Sequence, residues 1–337
     1  MTALELFIFL VLLAITFGVG SQDETIAPIK ENDVLGFKKT LLFGSIFAFL
    51  GVLFFSQKVG ATIGVNMLGP EVNYSEGMML AVLLSIAVWI LIATWTNVPI
   101  SITHSVVGAL IGLALAWSLV AGKPFVASMN WVKVGEVIAG LLISPLIGFC
   151  LAYATQFAIN RIMKHVTASK GLTRIERAEN VLRPWVIVFA ALNALSRAGN
   201  DSGKVIGVAF SMLTTGPSAG TQGLAELLII AFIYAAGLYF VGRRLVISVG
   251  SSTGGSLRPS EALSIEITVS VILFVATMLG LPISGTQVLV FALIGSARVR
   301  GEKPDPKTYH SIVLSWVLTI PVAAGLAAAF FLLVNAL

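Results

Sequence analysis

Two short patterns of residues that could do chemistry occur once in each half of the chain. One is acidic: Gly20-Ser21-Gln22-Asp23, matched by Ala198-Gly199-Asn200-Asp201. The other is rich in hydroxyls: Pro99-Ile100-Ser101-Ile102-Thr103-His104, matched by Pro282-Ile283-Ser284-Gly285-Thr286-Gln287. Both recur in the same order at nearly equal offsets, which chance does not readily produce. Proline lacks an amide hydrogen and suits a first helical turn. Ser101 and Ser284 therefore fall at predicted helix starts, where free N–H groups and the positive end of the helix dipole favour an anion. Serine and threonine hydroxyls add donors that rotate to meet oxygen atoms. Ser101, Thr103, Ser284 and Thr286 are the leading anion ligands on this reading. The blander reading is that the prolines only kink packed helices, which membrane proteins tolerate. The duplication argues against it.

In the acidic patterns each carboxylate follows a side-chain amide. Gln22 with Asp23, and Asn200 with Asp201, offer hard oxygen ligands to a small cation such as Na⁺. Gly18, Gly20 and Gly199 permit local unwinding, which would free main-chain carbonyls for the same ion. A competing reading makes Asp23 and Glu24 helix caps within the polar stretch 21–33. Arg197 and Lys204 bracket Asp201, and Arg197 stands at the i, i+4 spacing of a helical ion pair. Either these cations neutralise the acid locally, or Lys204 is a fixed charge that balances a bound anion or replaces a coupling cation. The sequence leaves both open. His104 could carry a proton near neutral pH or orient a neighbour by hydrogen bonding. Gln287, Asp23 or Asp201 could accept a hydrogen bond from a protonated oxyanion.

The elements that must position these residues are membrane spans. Of the 337 residues, 57% are hydrophobic and 11% charged, against roughly 25% charged in a soluble domain. Apolar runs such as 78–94, 106–121, 137–153, 224–241 and 309–335 approach or exceed the roughly 20 residues that cross a bilayer. About ten spans are expected, near 3–28, 40–57, 77–96, 99–121, 133–158, 185–214, 224–242, 262–280, 283–297 and 309–336. The run 6–19 lacks a basic region before it and reads as a first span, not a cleaved signal peptide. Cys150 is the lone cysteine, so neither an intrachain disulfide nor a cysteine metal site is available.

With the N-terminus outside and the spans alternating, sixteen of the 21 Lys and Arg fall in inside loops and three in outside loops. That bias fits the positive-inside rule and fixes an expected topology. The net charge of +5 is then topological, and no nucleic-acid partner is expected. The basic loop 161–184 separates residues 1–160 from 185–337, with five spans in each part. An odd number of spans turns a second, related half upside down. The expected fold is thus an all-α polytopic membrane protein of two inverted five-helix repeats, whose broken or half helices meet near the membrane midplane.

The four patterns resemble those of the inorganic phosphate transporter (PiT) family. That family carries Gly-Ala-Asn-Asp near the start of each half and Pro-Val-Ser-Thr-Thr-His or -Gln later. The family continues its acidic motif as Val-Ala-Asn-Ala. Here Glu24-Thr25-Ile26-Ala27 and Ser202-Gly203-Lys204-Val205 stand instead, with Ile26 and Lys204 at the second asparagine and Gln22 at the first.

The resemblance implies a symporter that imports inorganic phosphate across the cell membrane, coupled to Na⁺ or H⁺. Sulfate is the alternative cargo, because some relatives are thought to carry it. A divalent anion entering a negative interior meets about 4.6 kcal/mol of opposing field at 100 mV, so cotransported cations are needed. The coupling ion's expected ligands are Gln22, Asp23, Asn200, Asp201 and His104, with Asp23 and Asp201 as the Na⁺ ligands. The anion's are the four hydroxyls with Gln287, Asp23, Asp201 and Lys204.

An anion channel or exporter would keep the hydroxyl helix starts and need no cation cycle. An enzyme is not expected: there is no convincing nucleophile–base set, and His104, His165 and His310 are scattered. No cofactor is expected besides the coupling ion. Lipid is an expected partner, and a homodimer is allowed. The termini are expected outside and the central loop in the cytoplasm.

Overall fold

The computed structural model describes residues 2–31, 35–60, 62–96, 100–167, 172–209, 221–251, 257–301 and 306–336. Pro99, with which the first hydroxyl pattern opens, lies outside them, as does Lys170 in the central loop. The described chain is helical nearly throughout. Its helices are α1 (Ala3–Ser21), α2 (Ala27–Glu31), α3 (Phe37–Gly60), α4 (Glu76–Thr96), α5 (Ile102–Ala121) and α6 (Trp131–Thr167), followed by α7 (Leu172–Val208), α8 (Thr221–Phe240), α9 (Arg243–Ser251), α10 (Pro259–Met278), α11 (Gly285–Val299) and α12 (Pro306–Ala336).

Among the described residues, nine helices are long and apolar enough to cross a membrane; α11 is apolar but has only 15 residues. At 1.5 Å per residue it reaches about 22 Å, short of the ~30 Å hydrocarbon layer. Large apolar side chains cover the outside, with Trp95 88% and Phe240 72% exposed. A soluble monomer does not present such a surface to water; lipid is its solvent.

The bounds differ from expectation in two instructive ways. The first helix stops at Ser21, because the chain turns at 22–26 and buries Gln22, Asp23, Glu24 and Thr25. By contrast, α6 and α7 run past their apolar cores into the polar stretch 161–184, so much of that stretch is helical. Nor does the helix unwind at Gly199, since α7 is continuous there. That glycine serves packing: a β-carbon on it would lie 2.6 Å from the β-carbon of Phe55 and 2.9 Å from the Gly51 carbonyl oxygen on α3. Small residues let membrane helices approach in this way.

The helix contacts are reciprocal. α1 packs on α8 while α7 packs on α3; α5 packs on α12 while α11 packs on α6. The loops also segregate. On one side, Arg243 stacks over Phe37, Glu179 accepts hydrogen bonds from the Ser260 amide and hydroxyl, and Arg300 pairs with Glu261. On the other, Lys123 pairs with Glu71 and Asn130 Nδ2 donates to the Asn66 carbonyl.

Candidate functional site

α7 carries a polar stripe. Asn193, Arg197, Asn200, Asp201 and Lys204 follow helical spacing along one face, and all are 5% exposed or less. In lipid such a stripe must face the bundle interior and find partners there.

The partners come from both halves. Arg197 Nη2 donates to Glu24 Oε1 at 2.7 Å and to Thr286 Oγ1 at 2.8 Å; its Nε donates to Asp201 Oδ2 at 3.2 Å and lies 3.8 Å from Asp23 Oδ1. Lys204 Nζ donates to Asp201 Oδ1 and to the Ile283 carbonyl, each at 2.6 Å. Three carboxylates therefore meet two fixed cations in the buried interior. Such ions hold together only when paired and hydrogen-bonded. Asp23 is further satisfied by the Thr25 amide at 2.9 Å, the Thr25 hydroxyl and the Tyr234 hydroxyl at 3.0 Å.

Tyr234 reaches Asp23 because α1 and α8 nearly touch. A β-carbon on Gly20 would fall 2.0 Å from the Tyr234 carbonyl oxygen, and one on Gly237 would fall 2.0 Å from that of Phe17.

The two hydroxyl patterns meet the same cluster. Ser101 and Ser284 are the N-caps of α5 and α11, in extended backbone, and accept from the His104 and Gln287 amides at 3.3 and 3.4 Å. Thr103 Oγ1 donates to the Ile283 carbonyl at 3.1 Å and so ties one pattern to the other. Thr286 is bound to Arg197. The two helix starts thus stand together, and the side chains around them are buried.

The amides behave differently. Gln22 Nε2 donates to Thr94 Oγ1 on α4, and Asn200 Nδ2 donates to Thr277 Oγ1 and the Leu281 carbonyl by α10. Neither has a bond to the carboxylate beside it among the described contacts. Among the described residues their oxygens, Gln22 Oε1 and Asn200 Oδ1, have no protein partner, and neither do Gln287 Oε1, His104 Nδ1, Glu24 Oε2 and Arg197 Nη1. Buried polar atoms are almost always satisfied, so a concentration of open donors and acceptors is what a polar cargo would complete. Arg197 Nη1 and the helix-start amides suit an anion; Asn200 Oδ1 and Gln22 Oε1 suit a proton donor or a cation.

Several partners are not evident from the sequence. Its spacing marks Arg197 only as a neighbour of Asp201, yet Arg197 is the hub. The alternative that makes Glu24 a solvated helix cap does not hold, since Glu24 is fully buried against Arg197. Thr94 and Tyr234 carry no sequence signal. Glu266 did: a lone acid in an apolar span marks a functional position by default. It is fully buried on α10 and accepts from Asn193 Nδ2 at 2.8 Å.

Spanning helices that converge on a buried, charged, hydroxyl-lined seam define a polytopic membrane transporter. The model of the Phosphate transporter family matches residues 18–327, and the chain belongs to that family. Its members are transporters and not enzymes. A "Probable low-affinity inorganic phosphate transporter" of Rhizobium meliloti (strain 1021) is 27% identical over 97% of this chain and 96% of that protein. One of the same description from Bacillus subtilis (strain 168) is 27% identical over 98% and 97%. A solved structure titled "The sodium-dependent phosphate transporter" covers both chains fully with a TM-score of 0.81 at 20% identity, a likeness of fold.

Proposed function

We propose that the chain is a carrier that imports inorganic phosphate across the cell membrane together with Na⁺ or H⁺. One observation carries this reading: the Arg197 guanidinium sits where two serine-capped helix starts meet, with Nη1 unpartnered among the described residues. A guanidinium binds phosphate oxygens through a planar fork, and the helix starts add N–H donors and dipole. Gln287 Oε1, also unpartnered among the described residues, can accept from a phosphate hydroxyl. Sulfate has no such proton to give, so the acceptor favours phosphate. Asp23 and Asp201 are already engaged by donors of the chain, which leaves Gln287 the better acceptor.

Cation coupling is supported by the carboxylates, by the open amide oxygens and by the voltage that a divalent anion must oppose. Ser101, Thr103, His104, Ser284, Thr286 and Gln287 are all buried, which fits a carrier with a closed state better than an open channel. The reciprocal packing of α1 and α7, and of α5 and α11, supports two inverted halves related by a pseudo-two-fold axis. Described residues of the basic loops, Arg243 over Phe37, Glu179 with Ser260 and Arg300 with Glu261, support assigning their side of the bundle to the cytoplasm; the termini then lie outside.

The test uses purified protein and radiolabelled phosphate. Phosphate should displace the label at low concentration while sulfate does not, and proteoliposome uptake should follow an imposed Na⁺ or pH gradient. Displacement by sulfate alone would reassign the cargo. Uptake indifferent to both gradients would remove symport.

A further inference from the structure

Lys204 is fully buried, and its ammonium rests on two oxygens of different kinds. One is a carboxylate oxygen of Asp201 and the other is the main-chain carbonyl of Ile283, each 2.6 Å away. Ile283 lies in the non-helical break just before the Ser284 cap of α11. Its carbonyl also accepts from Thr103 of the other hydroxyl pattern. A carboxylate with a carbonyl freed at a helix break, facing a hydroxyl, is a hard-oxygen set of the sort that holds a small monovalent cation inside membrane carriers. Arg197 binds the opposite oxygen of Asp201, Oδ2, so the two cations divide the carboxylate between them. Lysine is a compact point charge on a flexible stem, and this stem delivers the charge to the place between these oxygens. It does so at the position where the resembling family's motif has a neutral asparagine.

We propose that the Lys204 ammonium is a tethered cation occupying a latent Na⁺-class site formed by Asp201 Oδ1 and the Ile283 carbonyl. A tethered charge balances the local carboxylate but is not itself carried across the membrane. This half of the site therefore takes up no free cation, and coupling falls to the Asp23 half. The inference rests on the cation-coupled reading above and adds that the two halves are not equivalent.

The experiment measures binding of ²²Na⁺ to the purified full chain, with choline replacing Na⁺ in controls. Lys204→Ser vacates the seat, and this variant should bind one more Na⁺ per chain than the wild type. Adding Asp201→Asn should abolish the gain. Lys204→Met fills the stem's space without charge and should show no gain. A Lys204→Ser variant that is folded but binds no extra Na⁺ overturns the proposal, as does an equal gain in Lys204→Met. A variant that folds in NaCl but not in choline chloride supports it. If Lys204→Ser and Lys204→Asn both fail to fold in either salt, the lysine is a structural ion pair and the proposal is wrong. Phosphate plays no part in this readout, so a wild-type chain that carries no phosphate would sink the transport reading separately.

Discussion

The Arg197 guanidinium lies 3.1 Å from the point where a side chain on Gly285 would begin. The resembling family motif has threonine at this position of Pro-Val-Ser-Thr-Thr. Here the space is given to a cation held on its other sides by Glu24 and Asp201. Arg197 cannot retreat without breaking a charged hydrogen bond. Gly285→Ala should therefore lower the melting temperature slightly. Gly285→Thr should cost about 1–3 kcal/mol, the range for overpacking, and weaken phosphate binding at least tenfold. Phosphate binding unchanged in a folded Gly285→Thr protein would show that Arg197 does not touch the anion.

Removing the guanidinium separates stability from transport. Arg197→Met leaves Glu24 buried and unpaired, which costs about 3–5 kcal/mol for a broken buried pair. Combining it with Glu24→Gln removes the stranded charge and should recover most of that loss. Neither variant should bind phosphate. Calorimetry in detergent reads the first effect and labelled-phosphate binding the second. If the double variant binds phosphate like wild type, the pair is scaffolding.

Much of this was legible from residue spacing. The spans followed from apolar length, and the two hydroxyl patterns marked helix starts that the structure confirms as the Ser101 and Ser284 N-caps. The stripe 193–197–200–201–204 has helical spacing and could be read as one buried face. What spacing could not give is which distant groups close on that face. The bonds from Arg197 to Glu24 and from Tyr234 to Asp23 span 173 and 211 positions, and nothing local encodes them. Gly199 misled for a related reason: glycine permits unwinding and close packing alike, and only the neighbouring α3 decides.

The serine caps offer a test of whether both halves serve one ion. Each of Ser101→Ala and Ser284→Ala removes a cap worth about 1 kcal/mol of stability. If both helix starts face the same phosphate, each change should lower phosphate affinity by a similar factor. The double variant should then deviate from additivity, since residues sharing a partner couple by about 0.5 kcal/mol or more. Titration of labelled phosphate onto the four proteins measures this. Strict additivity, or an effect confined to one serine, would place the anion on one half alone.

Glu266 and Asn193 form a polar contact one helical turn from Arg197, and only one of its two hydrogen-bonding sides is made. Asn193 Nδ2 donates to Glu266 Oε2, while Asn193 Oδ1 and Glu266 Oε1 have no partner among the described residues. No ion pair to Glu266 occurs among the described residues. Two unpartnered oxygens call for a donor. A glutamine at 266 can supply one from its own amide while keeping the acceptor that Asn193 uses. Glu266→Gln should therefore match or exceed wild-type stability. Glu266→Leu strands the Asn193 amide and should cost about 1–3 kcal/mol, the penalty for an unsatisfied buried polar group. Melting curves of the two variants decide the matter. If glutamine destabilises as much as leucine, the carboxylate's charge is needed there, and a cation must bind beside it.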